Sequence, residues 1–272
     1  MRGVLGSLTT RPATLFSLTI TSLFIAASAR AQAPAAPATA KTSAPVVGSA
    51  IKPVPRTGSW MERHENFLKQ AKEGNIDLLF LGDSITNGWS GKGKNGEGPI
   101  EVWNRYYAPR KAANFGIGGD RTQHVLWRIE NGEVDGISPK VAMLMIGTNN
   151  SRDNSADEIA EGVETIVKRL REKLPNTKIL LLGVFPRGET PNPQREKLAQ
   201  VNERISKLDD GKMITYRDIG KKFLNDDGSI SKEIMPDFLH LSRKGYRIWA
   251  EAVEPTLWSM MDEAAPKTPG ND

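Results

Sequence analysis

From about Trp60 the hydrophobic positions of this chain alternate between helical spacing and short unbroken apolar runs. Trp60 to Ala71, Thr122 to Glu130, Ser155 to Leu174, Gln194 to Leu208 and Ser242 to Met261 read as helices. In the third of these, Ile159, Val163, Ile166, Val167 and Leu170 return at helical intervals, and Pro175 stops the run. Asp77 to Leu81, Ala112 to Phe115, Val141 to Ile146, Lys178 to Val184 and Met213 to Tyr216 read as strands. Strands separated by helices predict an α/β fold, with a parallel sheet covered on both faces. Asp83-Ser84, Gly118-Gly119 and Thr148-Asn149 each follow the carboxyl end of a strand. Open parallel sheets place their ligand crevice at those ends, so these three clusters are expected to converge on one cleft.

The N-terminal region changes the picture of where this domain works. Arg2 and Arg11 precede an apolar stretch from Ala13 to Ala27, followed by the small-x-small pattern Ser28-Ala29-Arg30-Ala31. This predicts a secretory signal over residues 1–31, cleaved after Ala31, and a secreted or periplasmic protein. The stretch falls short of the ~20 residues that span a bilayer, so no stable membrane insertion is expected after cleavage. Residues 32–56 are rich in Ala and Pro without hydrophobic periodicity and read as a disordered tether. The domain is expected over residues 57–262, with a flexible tail at 263–272.

Charge and cysteine content narrow the chemistry. The chain has 37 Lys and Arg against 32 Asp and Glu; loss of Arg2, Arg11 and Arg30 with the signal leaves a net charge of +2. That near-neutral balance gives no argument for a nucleic-acid partner. With no cysteine in the chain, thiol catalysis and Cys-ligated zinc are excluded.

Ser84 becomes a nucleophile only if a base can take its proton, which directs attention to the three histidines. His64 lies in the polar run Glu62-Arg63-His64-Glu65 and reads as a solvated helix residue. His124 follows the glycine cluster and reads as a packed or capping histidine. His240 ends Asp237-Phe238-Leu239-His240, a spacing that lets Asp237 accept the Nδ1 proton and leaves Nε2 free as the base. The backbone N–H groups of Ser84 and Gly119 and the side-chain amide of Asn149 are candidate oxyanion donors. Asn149 offers N–H groups without the negative charge an aspartate would set against the oxyanion.

Several near-motifs fail on their own terms. Gly88 to Asn95 imitates a phosphate loop, but Asn95 stands where a metal-binding Ser or Thr is needed. His64-Glu65-Asn66-Phe67-Leu68 lacks the second histidine of a zinc protease helix. Gly116 to Arg121 lacks the third glycine of a dinucleotide fingerprint, and Asn225 to Gly228 does not keep a calcium-loop register. No GxSxG elbow occurs.

Four blocks stand in order: Gly82-Asp83-Ser84-Ile85, Gly116-Ile117-Gly118-Gly119-Asp120, Gly147-Thr148-Asn149-Asn150 and Asp237-Phe238-Leu239-His240. In this combination the chain resembles the SGNH (GDSL) hydrolase superfamily. The resemblance is closer still to the catalytic alpha subunits of intracellular platelet-activating-factor acetylhydrolase, from about Trp60 to Trp258. Asn114-Phe115, His124 to Arg128, Pro186 to Glu189 and Pro191-Asn192-Pro193 extend that likeness.

The resemblance implies a flavodoxin-like three-layer α/β/α sandwich with a central parallel sheet. It implies Ser84 as nucleophile, His240 as base, Asp237 as its orienting partner, and Ser84, Gly119 and Asn149 as the oxyanion hole. It implies neither a metal nor an organic cofactor. By the same analogy Ile85 and Leu239 line the acyl pocket, and their bulk favours a short acyl group.

The leading expectation is therefore an exported serine esterase acting on short-chain, acetyl-type esters of a carbohydrate or small molecule, with a homodimer as the oligomer allowed for. The alternatives are a lysophospholipase- or thioesterase-type lipid acylhydrolase and a non-catalytic binder of glycan or lipid. Nucleotide binding through Gly88 to Lys94 ranks last.

Overall fold

A computed structural model describes residues 48–93 and 98–264, all within one compact unit, Ala44–Asp272. The predicted signal, most of the predicted tether and residues 265–272 of the predicted tail lie outside the described residues.

Five strands form one parallel sheet: β1 (Leu78–Gly82), β2 (Ala112–Gly116), β3 (Val141–Met145), β4 (Lys178–Leu182) and β5 (Ile214–Arg217), in the order β2-β1-β3-β4-β5. The helices are α1 (Ser59–Glu73), α2 (Ser84–Asn87), α3 (Pro99–Tyr106), α4 (Thr122–Glu130), α5 (Ala156–Lys173), α6 (Pro193–Ile205) and α7 (Arg243–Met261). Side chains alternate across the sheet and fill two separate apolar layers. Leu79, Leu81, Phe115, Leu144 and Leu181 pack with α1, α4, α5 and α6; Leu78, Phe80, Met143, Leu180 and Leu182 pack with α3 and α7. The result is the α/β/α sandwich expected from the chain. Among the described residues, no helix is long and apolar enough to cross a membrane.

Two features of this topology place the site. The chain leaves β1 for β2 on one side and then returns to β3 on the other, so a switch point lies at the carboxyl end of β1, where loops diverge and leave a crevice. Glycines then draw α2 close to the sheet. A Cβ on Gly82 would lie 2.5 Å from the Met145 carbonyl oxygen, and one on Gly116 would lie 2.3 Å from the backbone nitrogen of Asn87. Neither approach is open to any other residue.

Two boundaries differ from expectation. Gly48 to Arg56, expected as the end of the tether, is docked on the domain. Ser49–Ile51 forms a 3-10 turn with Ala50 buried, the Thr122 hydroxyl donates to the Ala50 carbonyl at 2.8 Å, and the Val54 N–H donates to the Gln123 carbonyl at 3.3 Å. One small buried side chain and scattered hydrogen bonds hold this segment, which no periodicity could announce. At the other end, Glu263 is not loose: it accepts from Arg110, with Nη2 to Oε2 at 2.7 Å. Helix α3 carries no sequence signal of comparable strength, since only Val102 and Trp103 of its eight residues are buried.

Candidate active site

Ser84 begins α2 directly after β1, capped by Asp83, whose Oδ1 accepts the Ile85 N–H at 2.9 Å. His240 comes from the other end of the chain, on the turn before α7. That turn is held from several sides. Asp237 Oδ1 accepts the backbone N–H groups of Leu239 at 3.1 Å and His240 at 2.7 Å. Phe238 has the left-handed φ of 58° that a bulky residue rarely takes, and its carbonyl accepts the Gly188 N–H at 2.8 Å.

The turn thereby sets His240 Nε2 2.9 Å from Ser84 Oγ and His240 Nδ1 2.7 Å from Asp237 Oδ2. An ionised carboxylate can only accept, so the Nδ1 proton points to Asp237 and Nε2 is left to accept from the serine hydroxyl. Partial burial works against the Asp237 charge. The hydrogen bonds from the His240 ring and from the His240 and Leu239 N–H groups outweigh it and hold the carboxyl below its usual range.

The glycine loop after β2 lies against Ser84, and Asn149 after β3 is hydrogen-bonded to that loop. Gly118 lies close enough that a Cβ on it would be 3.9 Å from the Ser84 Cβ, and Gly119 adopts φ 77°, exposing its backbone to the cleft. Asn149 follows β3, and its amide donates to the Asp120 carbonyl at 2.8 Å, which fixes the group while its second N–H stays available. Gly119, Asn149 and Leu239 line a cavity of about 230 Å³ whose wall also includes Arg121, Arg152 and Arg187.

One expected pocket residue is misplaced. Ile85 is 1% exposed and packs in the core layer with Trp89 and Tyr246, its carbonyl accepting the Tyr246 hydroxyl at 2.6 Å. As the second residue of α2 it points into the sheet, so it contributes no surface to the cleft. Leu239 is half-buried and does line the cavity.

Beneath the glycine loop runs a buried ionic chain that sequence reasoning missed. Asp120, wholly buried, accepts the Trp60 Nε1–H at 2.7 Å and has Arg128 Nε 3.0 Å from its other oxygen. Arg128, also wholly buried, pairs in turn with Glu133 and donates to the Phe115 carbonyl at 3.0 Å. Burial raises the Asp120 carboxyl above its ordinary range, against the opposing pull of Arg128 and Trp60.

His64, expected to be solvated, is 3% exposed and closes the chain, its Nδ1 3.2 Å from Glu133 Oε2. His124 is a cap: its Nδ1 accepts the Arg121 N–H at 3.0 Å, and burial with the charges of Arg56, Arg121 and Arg128 lowers its pKa to about 4. Arg56 lies over the same loop and donates to the Gly118 carbonyl at 2.8 Å and to Asp120 at 3.2 Å. The one sequence clue to this network was a charged Arg128 on a helix face shared with Val125 and Ile129.

Asp83 gives a pH-dependent consequence. Burial pushes its carboxyl up to about 7, against the hydrogen bond from the Ile85 N–H. An unfolded aspartate ionises near ~3.9. Between these values the folded state holds a proton that the unfolded state has lost, so this group makes stability fall as pH rises through that window and level off above it. Asp83→Asn keeps an acceptor for Ile85 without the ionisation. Its Tm advantage over wild type is expected to grow between about pH 4 and pH 8. A constant difference in thermal unfolding across that range would rule out the burial effect.

The GDSL-like Lipase/Acylhydrolase family matches residues 80–248. The chain is 40% identical over 205 residues to platelet-activating factor acetylhydrolase IB subunit alpha2 of Rattus norvegicus, covering 75% of this chain and 86% of that protein. Against the alpha1 subunit of Homo sapiens it is 37% identical over 212 residues, covering 78% and 88% respectively.

Among solved structures it is similar to a GDSL-like lipase of Bacteroides thetaiotaomicron, with TM-score 0.58, 15% identity and coverage of 72% of this chain and 97% of that one. It is also similar to a carbohydrate acetylesterase family member of Sinorhizobium meliloti, with TM-score 0.53, 17% identity and coverage of 69% and 99%.

Proposed function

Because this chain belongs to the GDSL-like Lipase/Acylhydrolase family of the SGNH hydrolase superfamily and is a carboxylic ester hydrolase, we propose that Ser84 is its nucleophile and that it removes short acyl groups, acetyl foremost, from esters. The observation that carries the reading is the unbroken relay from Ser84 Oγ through His240 to Asp237, at 2.9 and 2.7 Å.

In this reading His240 Nε2 takes the Ser84 proton as Oγ attacks the ester carbonyl carbon. The N–H groups of Ser84, Gly119 and Asn149 receive the resulting oxyanion. The bond to the alcohol oxygen breaks as the imidazolium returns its proton to that oxygen. Water then attacks the acyl-enzyme with His240 again as base, releasing the carboxylic acid and restoring the serine.

The short acyl preference is supported by the cleft itself, where Leu239 is the one apolar side chain lining a wall otherwise built from polar groups and glycine. A long acyl chain would bury its methylenes against guanidinium and amide groups and lose the usual ~0.8 kcal/mol per buried CH₂.

For the alcohol portion, a lipid-type acyl ester ranks ahead of a carbohydrate ester. The family name includes lipases, and the relatives at 37–40% identity are acetylhydrolases by name, whereas the likeness to the carbohydrate acetylesterase rests on 17% identity and carries the fold alone. Export remains part of the proposal on the strength of the charged, apolar and small-residue pattern over residues 1–31.

Hydrolysis of p-nitrophenyl acetate, butyrate and octanoate tests the acyl preference. Acetate is expected to be fastest; octanoate in first place would sink the short-acyl reading. Acetylated glycerolipid against acetylated xylooligosaccharide tests the alcohol, and a clear preference for the sugar would restore the carbohydrate reading.

Asn149→Ala is expected to lower kcat by roughly 10²–10³ with a smaller change in KM, the scale for one lost oxyanion donor. A kcat within a few-fold of wild type would remove Asn149 from that role.

A further inference from the structure

We propose that Arg56 is a positioning residue for acyl transfer: by holding the Gly118 carbonyl it sets the Gly118–Gly119 peptide so that the Gly119 N–H faces the cleft as an oxyanion donor. The inference rests on the hydrolase reading above and names what keeps its oxyanion hole formed.

The loop after β2 is a turn closed by the Asp120 N–H, which donates to the Ile117 carbonyl at 3.2 Å. Gly119, third of the four residues, has φ 77°, while φ at Gly118 is not positive. This is a type II turn. The commoner type I turn keeps the same ends but has its central peptide rotated by about half a turn. With glycine at both central positions, no Cβ opposes that rotation. The orientation matters at this site, because across a trans peptide the carbonyl and the following N–H point in opposite directions. Rotating the Gly118–Gly119 peptide would put a carbonyl oxygen where the oxyanion donor should be.

Arg56 selects between the two orientations. Its Nη1 donates to the Gly118 carbonyl at 2.8 Å, and a Cβ on Gly119 would lie 3.3 Å from the same Nη1, so the guanidinium sits against one side of the turn. In the rotated form the Gly119 N–H would point at this cation, donor against donor. Arg56 Nη1 is also 3.2 Å from Asp120 Oδ1, a wholly buried carboxylate that accepts from Trp60 as well, and this fixes the guanidinium in place. A carbonyl engaged by a charged donor polarises its peptide and makes the attached N–H a stronger donor. Among the described residues, no backbone carbonyl accepts the Gly119 N–H, which leaves it for a ligand.

Arg56 ends the strap that begins at Gly48, and the strap has its own attachments away from the loop. Ser49 Oγ accepts from Asn154 Nδ2 at 2.8 Å, and the Ala50 carbonyl accepts from Thr122 at 2.8 Å. The contact between Arg56 and the turn can therefore be removed while the strap stays docked, and the strap can be loosened while Arg56 keeps its hydrogen bonds.

The test sets Arg56→Gln and Arg56→Lys beside Ser49→Ala, which loosens the strap at its far end. On p-nitrophenyl acetate, Arg56→Gln is expected to lower kcat by about ten- to a hundredfold, less than the full loss of an oxyanion donor, with KM within about twofold of wild type. Arg56→Lys, which keeps a charged donor, should lose less, and Ser49→Ala should keep wild-type kcat. By NMR, the strong contact that a type II turn gives between a Gly118 Hα and the Gly119 amide proton should weaken in Arg56→Gln.

A kcat within a few-fold of wild type for Arg56→Gln, or an equal loss in Ser49→Ala, would overturn the positioning role while leaving the hydrolase reading intact. If wild type hydrolyses the acetate no faster than Ser84→Ala, the hydrolase reading fails instead. The NMR contact then decides independently whether Arg56 sets the peptide: weakening in Arg56→Gln supports it, and an unchanged contact overturns it in either case.

Discussion

Replacing Ser84 by Ala is expected to lower kcat on p-nitrophenyl acetate by about 10⁴-fold or more, with little change in thermal stability. Removing a triad nucleophile costs on that scale elsewhere, because the remaining oxyanion donors and binding contacts supply only the residual rate. Stability should hold because Ser84 Oγ is hydrogen-bonded to the half-exposed His240, at 2.9 Å, and belongs to neither apolar layer.

Ser84→Ala and His240→Ala should be no worse combined than alone, since the two act as one unit. Steady-state kinetics with a fluorophosphonate label as the second readout checks this. Residual activity within tenfold of wild type, or labelling that survives Ser84→Ala, would move the nucleophile elsewhere.

Replacing Arg128 by Met should produce the largest loss of stability of any single change considered. The guanidinium is wholly buried between Asp120 and Glu133, both at 0% exposure. Breaking one buried pair by removing a partner costs about 3–5 kcal/mol, because the remaining charge is left without compensation in a medium that solvates it poorly. Here one guanidinium serves two carboxylates, so the loss is expected at the upper end of that range or beyond.

The network also supports the Gly118-Gly119 loop through Asp120, so activity should fall along with stability. Adding Asp120→Asn and Glu133→Gln to Arg128→Met removes both stranded charges and should recover much of the stability. Urea unfolding of the three proteins separates the terms. A loss below about 1 kcal/mol for Arg128→Met would mean that water reaches these carboxylates.

The elements that could be read from the chain are those with a long period or an unbroken run. All five strands and five of the helices were legible because each needs several apolar residues to cover one face of the sheet. The eight-residue α3 and the strap from Gly48 to Arg56 were not, since each is held by one or two side chains and a few hydrogen bonds.

At the site, Ser84, Gly119, Asn149, Asp237 and His240 were identifiable as polar or small residues after strand ends or before the last helix, and Leu239 through the family resemblance. The family resemblance assigned Ile85, the residue after Ser84, to the pocket, but one step along a helix turns a side chain by about 100°, here into the core. His64 and Arg128 were illegible for a related reason. Whether an ionisable side chain is solvated or buried depends on a partner supplied from elsewhere in the chain, here Glu133 for both.

By itself, then, the sequence determined the layer architecture, the hydrolase family and the residue types that can carry acyl transfer, because periodicity and short motifs are local properties. The tertiary structure decided how those residues work together. Ser84 and His240 are separated by 156 positions and brought to 2.9 Å only by the parallel sheet and the returning α7. Asp120, Arg128 and Glu133, far from obvious partners in the sequence, become one buried ionic chain for the same reason: charge acts through distance in space, and folding sets that distance.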